Sequence, residues 1–459
     1  MKNKIYDMLP ERYQVAFKSA DIRGRYPNEI NETLVYRIGY VLGTNWKLKS
    51  ILVARDMRLS SPDLHKSLCL GLRHAGVEVY DLSLVPTTVL YFASGDLGVW
   101  GVMITASHNP KDFNGLKIVM PGAVPLTDKT GLNELKKYVV SEPDSTCKTL
   151  PKLRKISLIK KYLDTMIGSI DVKIDTDIKI ICDAGNGMSA KILEKVPKKL
   201  GLSIGSINTQ LDGNFPMRAS NPMLRNNQKP IKTALKEKFY NLGVSFDGDG
   251  DRVAFFTPNG TMINGALVGA IIASELIKDN PGATFVNTVF TSRVYSDVVK
   301  SRGGKMKKAK VGHSYIKEQM RKHDAVFGCE HSGHYYFKTN FYADSSILAL
   351  LYFLKALNNH GGDIYKLIKE YQLYYQTEEV LVEVVDKKKV LDTIVSTYDK
   401  GNNTVKKFDG VTVDMGDVWF TVKASVTEDA LKYVVESRDK KLALVKQKEI
   451  HSFLKSYKK

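Results

Sequence analysis

The chain has 459 residues, enough for about three domains or four smaller ones. Hydrophobic residues make up 43% and charged residues 25%, an ordinary folded composition that excludes wholesale disorder. The net charge is +19, and residues 151–370 carry 33 basic against 20 acidic side chains, most of the excess.

No apolar run reaches the ~20 residues needed to span a bilayer. The longest, 265–277, is too short and contains Glu275. The first seven residues have no apolar core, so no secretory signal is expected. Cysteines at 69, 147, 182 and 329 are far apart, which suits neither a zinc knuckle nor a disulfide framework. They fit a reducing compartment, and the expected location is cytoplasmic.

Strand-length apolar runs alternate with helix-like segments up to about residue 370. Residues 51–56 read as a buried strand. Ser60-Ser61-Pro62-Asp63 then starts a helix, with Ser near the cap and Pro in the first turn. That helix runs through Leu64, Leu68 and Leu72 and ends near Gly76. Residues 77–82 form the next strand. The same order recurs at 178–182, followed by a polar turn and a helix over 190–200. It recurs again at 283–289, with Thr291-Ser292 before a helix around 294–300. This pattern predicts three related α/β units. The tail differs: strands at 378–385, 411–413 and 419–422, flanked by helices at 387–398 and 442–457, predict a smaller α+β module.

Among the motifs, Asp247-Gly248-Asp249-Gly250-Asp251-Arg252 places three carboxylates at alternate positions between two apolar segments. Three packed anions repel unless a cation neutralises them, and hard oxygen ligands favour Mg²⁺ or Ca²⁺. An EF-hand is excluded, because Arg252 stands where its glycine belongs and Pro258 where its glutamate belongs. Thr105-Ala106-Ser107-His108-Asn109-Pro110 follows strand-like residues 102–104 and presents Ser107 in a turn. That position suits either a nucleophile or a plain turn residue. His108 beside it is a candidate base, although adjacent side chains need not point together. Lys117 offers an ammonium on the next strand, or a stem that snorkels to water.

Gly328-Cys329-Glu330-His331-Ser332-Gly333-His334 is a polar loop suited to several hydroxyls, or simply a solvated turn. Gly312-His313-Ser314 is a weaker signal of the same kind. Asp21-Ile22-Arg23 and Arg55-Asp56-Met57-Arg58 read on their own as surface ion pairs of little energetic value. The basic runs 152–161 and 300–310 are either solvated surface or attractors of phosphorylated and polyanionic partners. No nucleic-acid-binding motif accompanies them, so no specific nucleic acid partner is expected.

Taken in chain order, these segments resemble the α-D-phosphohexomutase superfamily, most closely its phosphomannomutase/phosphoglucomutase branch, from Phe17 nearly to the end of the chain. The resemblance implies four domains around a central cleft: three related α/β units with mixed sheets plus a smaller C-terminal α+β domain. Boundaries are expected at 1–151, 152–258, 259–372 and 373–459, bearing in turn the phosphoserine, the metal, the sugar-recognition loops and a phosphate-binding loop. The implied activity interconverts hexose 1-phosphate and hexose 6-phosphate of mannose and/or glucose, with a hexose 1,6-bisphosphate as intermediate and activator. Ser107 would be the phosphoserine. With Asp247, Asp249 and Asp251 it would hold one Mg²⁺ per chain. Lys117, expected as general base through a lowered pKa, would act with Arg23 and His108. Arg252, His313, Glu330, Ser332 and His334 would hold the substrate, with Lys423, Ser425 and Thr427 on its non-reacting phosphate. Hexose phosphates are then the expected partners, with no membrane, for a monomer or dimer.

One stretch departs from the family. The usual Arg-x-Ser-Gly-Thr-Glu-Pro reads here Lys423-Ala424-Ser425-Val426-Thr427-Glu428-Asp429. Lysine replaces a bidentate fork with a point charge, and valine restricts the backbone where glycine is usual. The alternatives are therefore a mutase for an amino-sugar phosphate, or a sugar-phosphate binding protein that has lost turnover.

Overall fold

A computed structural model describes residues 10–139, 149–171, 177–425 and 429–458. Two compact units emerge: one from residues up to 263 together with 332–364, the other from 264–331 together with 365 onwards.

The first unit contains a mixed sheet in the order Ile22–Arg25, Phe113–Met120, Trp100–Ile104, Ser50–Arg55, Glu78–Leu84, Leu153–Lys155, with Val124–Pro125 beside Phe113–Met120. Ser50–Arg55 pairs in parallel with both neighbours, whereas Phe113–Met120 runs antiparallel to Trp100–Ile104. Central strands are buried and apolar: helices Glu32–Asn45 and Ser61–His74 share one core with them, and Thr87–Leu97 packs on Ser50–Arg55 and Trp100–Ile104. Ser61–His74 starts as expected, with Ser60 at the cap and proline in its first turn. A second sheet runs Val253–Phe256, Leu242–Phe246, Ile180–Asp183, Ile204–Ile207. The single helix expected over 190–200 is two, Ala190–Leu193 and Val196–Leu200. Pro197 supplies no N–H and its ring clashes with the carbonyl four residues back.

In the second unit, Lys305–Lys308, Thr284–Asn287 and Phe327–Cys329 pair in parallel. Helix Arg293–Ser301 is capped by Ser292, whose hydroxyl accepts from Val294 N. The C-terminal sheet is antiparallel, in the order Tyr375–Gln376, Ala430–Ser437, Val418–Ala424, Val411–Asp414, Thr404–Lys407. Helices Lys387–Tyr398 and Lys440–Lys455 accompany it, and Phe420, Val422, Tyr433 and Val435 are among the residues of its core. The α/β units and the α+β tail thus have the fold class expected.

Both basic runs contribute edge strands, Leu153–Lys155 and Lys305–Lys308, with largely exposed side chains. Lysines on an edge discourage pairing with another chain. The apolar run 265–277 is a buried helix, Gly265–Asp279. No helix among the described residues is long and apolar enough to cross a membrane. Cys69, Cys182 and Cys329 are buried free thiols, and Cys147 lies outside the described residues.

Candidate active site

Strand Trp100–Ile104 delivers the chain into the Ser107 turn. Ser107 is 2% exposed and has φ +50°, a left-handed conformation that costs a non-glycine residue free energy and must be held by its surroundings. The holding contacts are specific. Ser107 N donates to Thr105 Oγ1 at 2.9 Å. The Ser107 carbonyl accepts from Arg58 at 2.9 Å and from Ser220 Oγ at 3.1 Å. The same guanidinium donates to the carbonyls of Asn109, Pro110 and Phe113, and its Nε lies 3.2 Å from Asp56 Oδ2. The Asp56–Arg58 pair, expected at the surface, is fully buried instead. It is a clamp, because one planar fork with five donors can satisfy several carbonyls that converge on it.

Strands Leu242–Phe246 and Val253–Phe256 form an antiparallel hairpin whose loop carries the three acids. Asp247 Oδ1 accepts the N–H groups of Gly250, Asp251 and Arg252, each at 3.1 Å, which winds the loop around one carboxylate. Gly248 lies against the Ser107 turn: a Cβ there would sit 2.8 Å from the Ser107 carbonyl oxygen. With that approach made, Ser107 Oγ donates to Asp247 Oδ2 at 2.8 Å. Upstream, Asp183 and Arg218 form a buried ion pair, and Arg218 also donates to Ser245 Oγ and the Phe246 carbonyl, fixing the strand that leads into the acids.

Asp249 Oδ2 accepts from Thr87 Oγ1 at 2.6 Å and from Lys117 Nζ at 2.7 Å, and Lys117 also donates to Asp251 Oδ2. The Oδ1 atoms of Asp249 and Asp251 are buried and accept no hydrogen bond. The three acids each offer an oxygen, all within 4.8 Å of one another. Hard oxygen donors, two of them otherwise unsatisfied, fit a divalent cation.

Electrostatics follow from this crowding. Burial, then Asp251 and Asp249, push the Asp247 carboxyl well above its ordinary range. Burial also raises Asp251, but Lys117 and Arg252 outweigh it and bring the pKa to about 2. Burial would depress the Lys117 ammonium, yet Asp249 and Asp251 hold it well above the usual lysine value. Lys117 is therefore protonated here. The lowered pKa expected for it is absent, because its neighbours are acids rather than cations. His108 Nδ1 lies 3.4 Å from Ser107 Oγ. Burial first, then Arg252 and Arg23, push its pKa well down, so the ring is neutral.

Arg23 donates to Asn109 Oδ1 at 2.9 Å and to Asp21 at 2.6 Å, at the foot of the Ser107 turn. Arg252 forms an isolated backbone bridge with His334. His334 Nδ1 lies 3.8 Å from Asp251 Oδ1 and 3.9 Å from Asp344 Oδ2. Ser332 is partly buried in the same unit.

The second unit holds the other site candidates. His313 opens helix His313–Lys322 directly after Gly312. Glu330, 5% exposed, accepts the Gly312 N–H at 3.2 Å. Lys423 is ion-paired to Asp409. Ser425 is buried, its N–H bonded to the Ala430 carbonyl at 2.9 Å. Thr427, with Val426 and Glu428, lies outside the described residues. Arg58, Thr87, Ser220 and Asp183–Arg218 were not expected in site roles. Only Arg58 carried a local signal, an acid–base pair directly after a buried strand.

A two-sheet α/β platform that sets a strained serine against three caged acids is the frame of a phosphoryl-transfer site. Three sequence profiles of phosphoglucomutase/phosphomannomutase match the chain: alpha/beta/alpha domain I over residues 14–144, domain II over 160–260 and domain III over 264–374. A phosphomannomutase of Escherichia coli K12 is 32% identical over 431 residues, covering 92% of this chain and 94% of its own. A protein named phosphohexose mutases from Xanthomonas campestris is 33% identical over 445 residues, covering 96% and 99%. A crystal structure of a phosphoglucomutase/phosphomannomutase family protein from Burkholderia thailandensis superposes with a TM-score of 0.87 at 28% identity, covering 97% and 98%. The chain belongs to the phosphoglucomutase/phosphomannomutase family, within the α-D-phosphohexomutase superfamily.

Proposed function

We propose that this phosphohexomutase interconverts the 1- and 6-phosphates of mannose and/or glucose, with Ser107 as its phosphoryl carrier. The observation that carries the reading is the Ser107 hydroxyl 2.8 Å from Asp247, inside the three-acid loop. In the proposed cycle, phosphoserine gives its phosphoryl group to the free hydroxyl of the hexose phosphate. The P–Oγ bond breaks and a P–O bond to the sugar forms. The hexose 1,6-bisphosphate then returns its other phosphate to Ser107, and trace bisphosphate serves as activator. Asp247, Asp249, Asp251 and the phosphorylated Ser107 are the proposed holders of Mg²⁺, which when bound would offset charge on the transferring group.

Arg58 and Ser220 keep the Ser107 carbonyl in place and Asp247 accepts from Oγ, so backbone and hydroxyl are both oriented towards the acid loop. Lys117 is the proposed proton carrier. From the arrangement seen it delivers a proton, and it accepts one from the sugar hydroxyl only once its ion pairs to Asp249 and Asp251 part. His108, neutral beside Oγ, is proposed to take the serine proton in the dephosphorylated enzyme, and Arg23 to steady the phosphate. Arg252, His313, Glu330, Ser332 and His334 are proposed sugar and phosphate contacts, with Lys423, Ser425 and Thr427 on the non-reacting phosphate.

We place the enzyme in the cytoplasm, in keeping with its buried thiols, and the proposed domain boundaries stay at 1–151, 152–258, 259–372 and 373–459. A panel of hexose and hexosamine phosphates with Mg²⁺ and trace glucose 1,6-bisphosphate, run on wild type and Ser107→Ala, tests the proposal. Turnover of glucose or mannose phosphates that depends on Ser107 supports it. Turnover of amino sugars alone moves the substrate class, and no turnover with any substrate refutes it. The altered stretch 423–429 favours one second reading, a sugar-phosphate binding protein that has lost turnover, which requires ligand binding with no phosphate on Ser107 by intact mass.

A further inference from the structure

Lys423 sits near the end of strand Val418–Ala424. Its ammonium donates to Asp409, and the two side chains are only 15% and 10% exposed. Asp409 occupies the turn between Thr404–Lys407 and Val411–Asp414, at φ +50°. Gly410 follows at φ +118°, and a Cβ there would meet the Val422 carbonyl oxygen at 2.4 Å and Lys423 Cβ at 3.0 Å. Glycine is what lets the turn lie on the Lys423 strand. The second Asp409 oxygen accepts the Val311 N–H at 2.7 Å. The next N–H, that of Gly312, goes to Glu330, and His313 follows. One carboxylate thus joins the lysine to the backbone of the His313 loop.

An ammonium and a peptide N–H converging on one anion are the donors a phosphate oxygen would take. Here a side chain of the protein takes them. We propose that Asp409 is a built-in counter-anion of the phosphate subsite: the substrate phosphate competes with it for Lys423 and the Val311 N–H, and this competition keeps the grip on the non-reacting phosphate loose. The proposal rests on the mutase reading of Lys423 and deepens it. A mutase must release a bisphosphate at one end to use the other, so a weakened hold serves turnover while it costs affinity.

The test measures glucose 1,6-bisphosphate binding by calorimetry on the full chain carrying Ser107→Ala, which cannot turn over. Asp409→Asn is expected to tighten binding about three- to tenfold by removing the like charge. The gain shrinks in 0.5 M salt, an ionic strength of about 0.5 M at which screening is strong, and is absent when Lys423→Met is added. Asp409→Gly, which also suits a left-handed φ, repeats the result should the asparagine variant fold poorly. With Ser107 restored, KM and kcat of Asp409→Asn fall together. Unchanged or weaker bisphosphate binding in both folded variants overturns the proposal, as does absence of binding in every variant. Tighter binding without turnover of any substrate upholds the counter-anion and refutes the mutase reading. Normal turnover with unaltered binding does the reverse.

Discussion

The Ser107 loop set and the Lys423 loop set are built to different standards. Around Ser107 the anchoring groups Arg58, Thr105, Ser220, Thr87 and Asp249 are buried, and contacts reach across long stretches of sequence, from Arg58 to four carbonyls and from Thr87 to Asp249. Around Lys423 the anchors are partly exposed ion pairs, such as Lys423–Asp409 and the Glu379 pairs with His331 and Lys432. The proposed reacting centre needs one geometry, and buried hydrogen bonds hold the strained Ser107 turn in it. The proposed phosphate subsite would need only charge, and charge tolerates lysine for arginine.

The contrast is broken most severely at Ser107 itself. Ser107→Ala removes the proposed phosphoryl carrier, and phosphoryl transfer should fall by about four orders of magnitude while melting shifts little. Chelation of divalent cations should likewise abolish turnover reversibly, with Mg²⁺ restoring it. Steady-state assays on dialysed enzyme check both.

Arg58→Met asks whether the clamp is as structural as it looks. It leaves Asp56 buried without its cation and four carbonyls without a shared donor. The expected loss is about 3–5 kcal/mol of stability, read by denaturant unfolding. Activity should also drop in whatever fraction stays folded. Arg58→Lys should recover part of the stability but less of the activity, because a point charge cannot hold four acceptors in one plane.

That clamp marks where sequence reasoning failed and why. The strands at Ser50–Arg55 and Ile180–Asp183 and the helix Lys387–Tyr398 were legible from local periodicity and caps. The acid loop was legible because its three carboxylates fall within five consecutive residues. Arg58 was misread because burial of an ion pair depends on which distant loop covers it, here one about fifty residues on. Thr87 gave no signal, since its partner Asp249 lies 162 positions away. The left-handed turn at Ser107 was hidden for a related reason: its cost is met by tertiary contacts and not by a glycine. Strand Ala430–Ser437, buried along most of its length, escaped notice because its polar and apolar residues do not alternate cleanly.

The second unit should show its reliance on charge in the pH dependence of stability. Burial raises the Glu379 carboxyl, but the hydrogen bond and charge of His331, with Lys432, bring it down to about 2. A depressed carboxyl stabilises the fold fully above its unfolded pKa and loses that contribution as pH falls through the folded value. Glu379→Gln should therefore cost about 1–3 kcal/mol near neutrality. The gap to wild type should narrow steadily once pH drops below about 4.5. Urea unfolding of both proteins between pH 3 and pH 7 measures it. A gap that stays constant across that range would mean the carboxylate contributes through packing.

The smallest effect belongs to Lys423→Arg, which restores the residue usual in the family. If arginine alone were the missing ingredient, KM for hexose phosphates would fall sharply. With Asp409 in place it should fall by no more than about twofold, because a guanidinium forks onto a carboxylate at least as readily as onto a phosphate. The gain should appear only in the Asp409→Asn background, where the fork has no internal partner. The four proteins form a double-mutant cycle, and its coupling term isolates the Lys423–Asp409 pair from everything else in the subsite. A large gain from Lys423→Arg alone would mean that the phosphate already displaces Asp409 without resistance. The loose grip would then come from the loss of the planar fork, and the difference between the two loop sets would be one of residue type, with no competition in it.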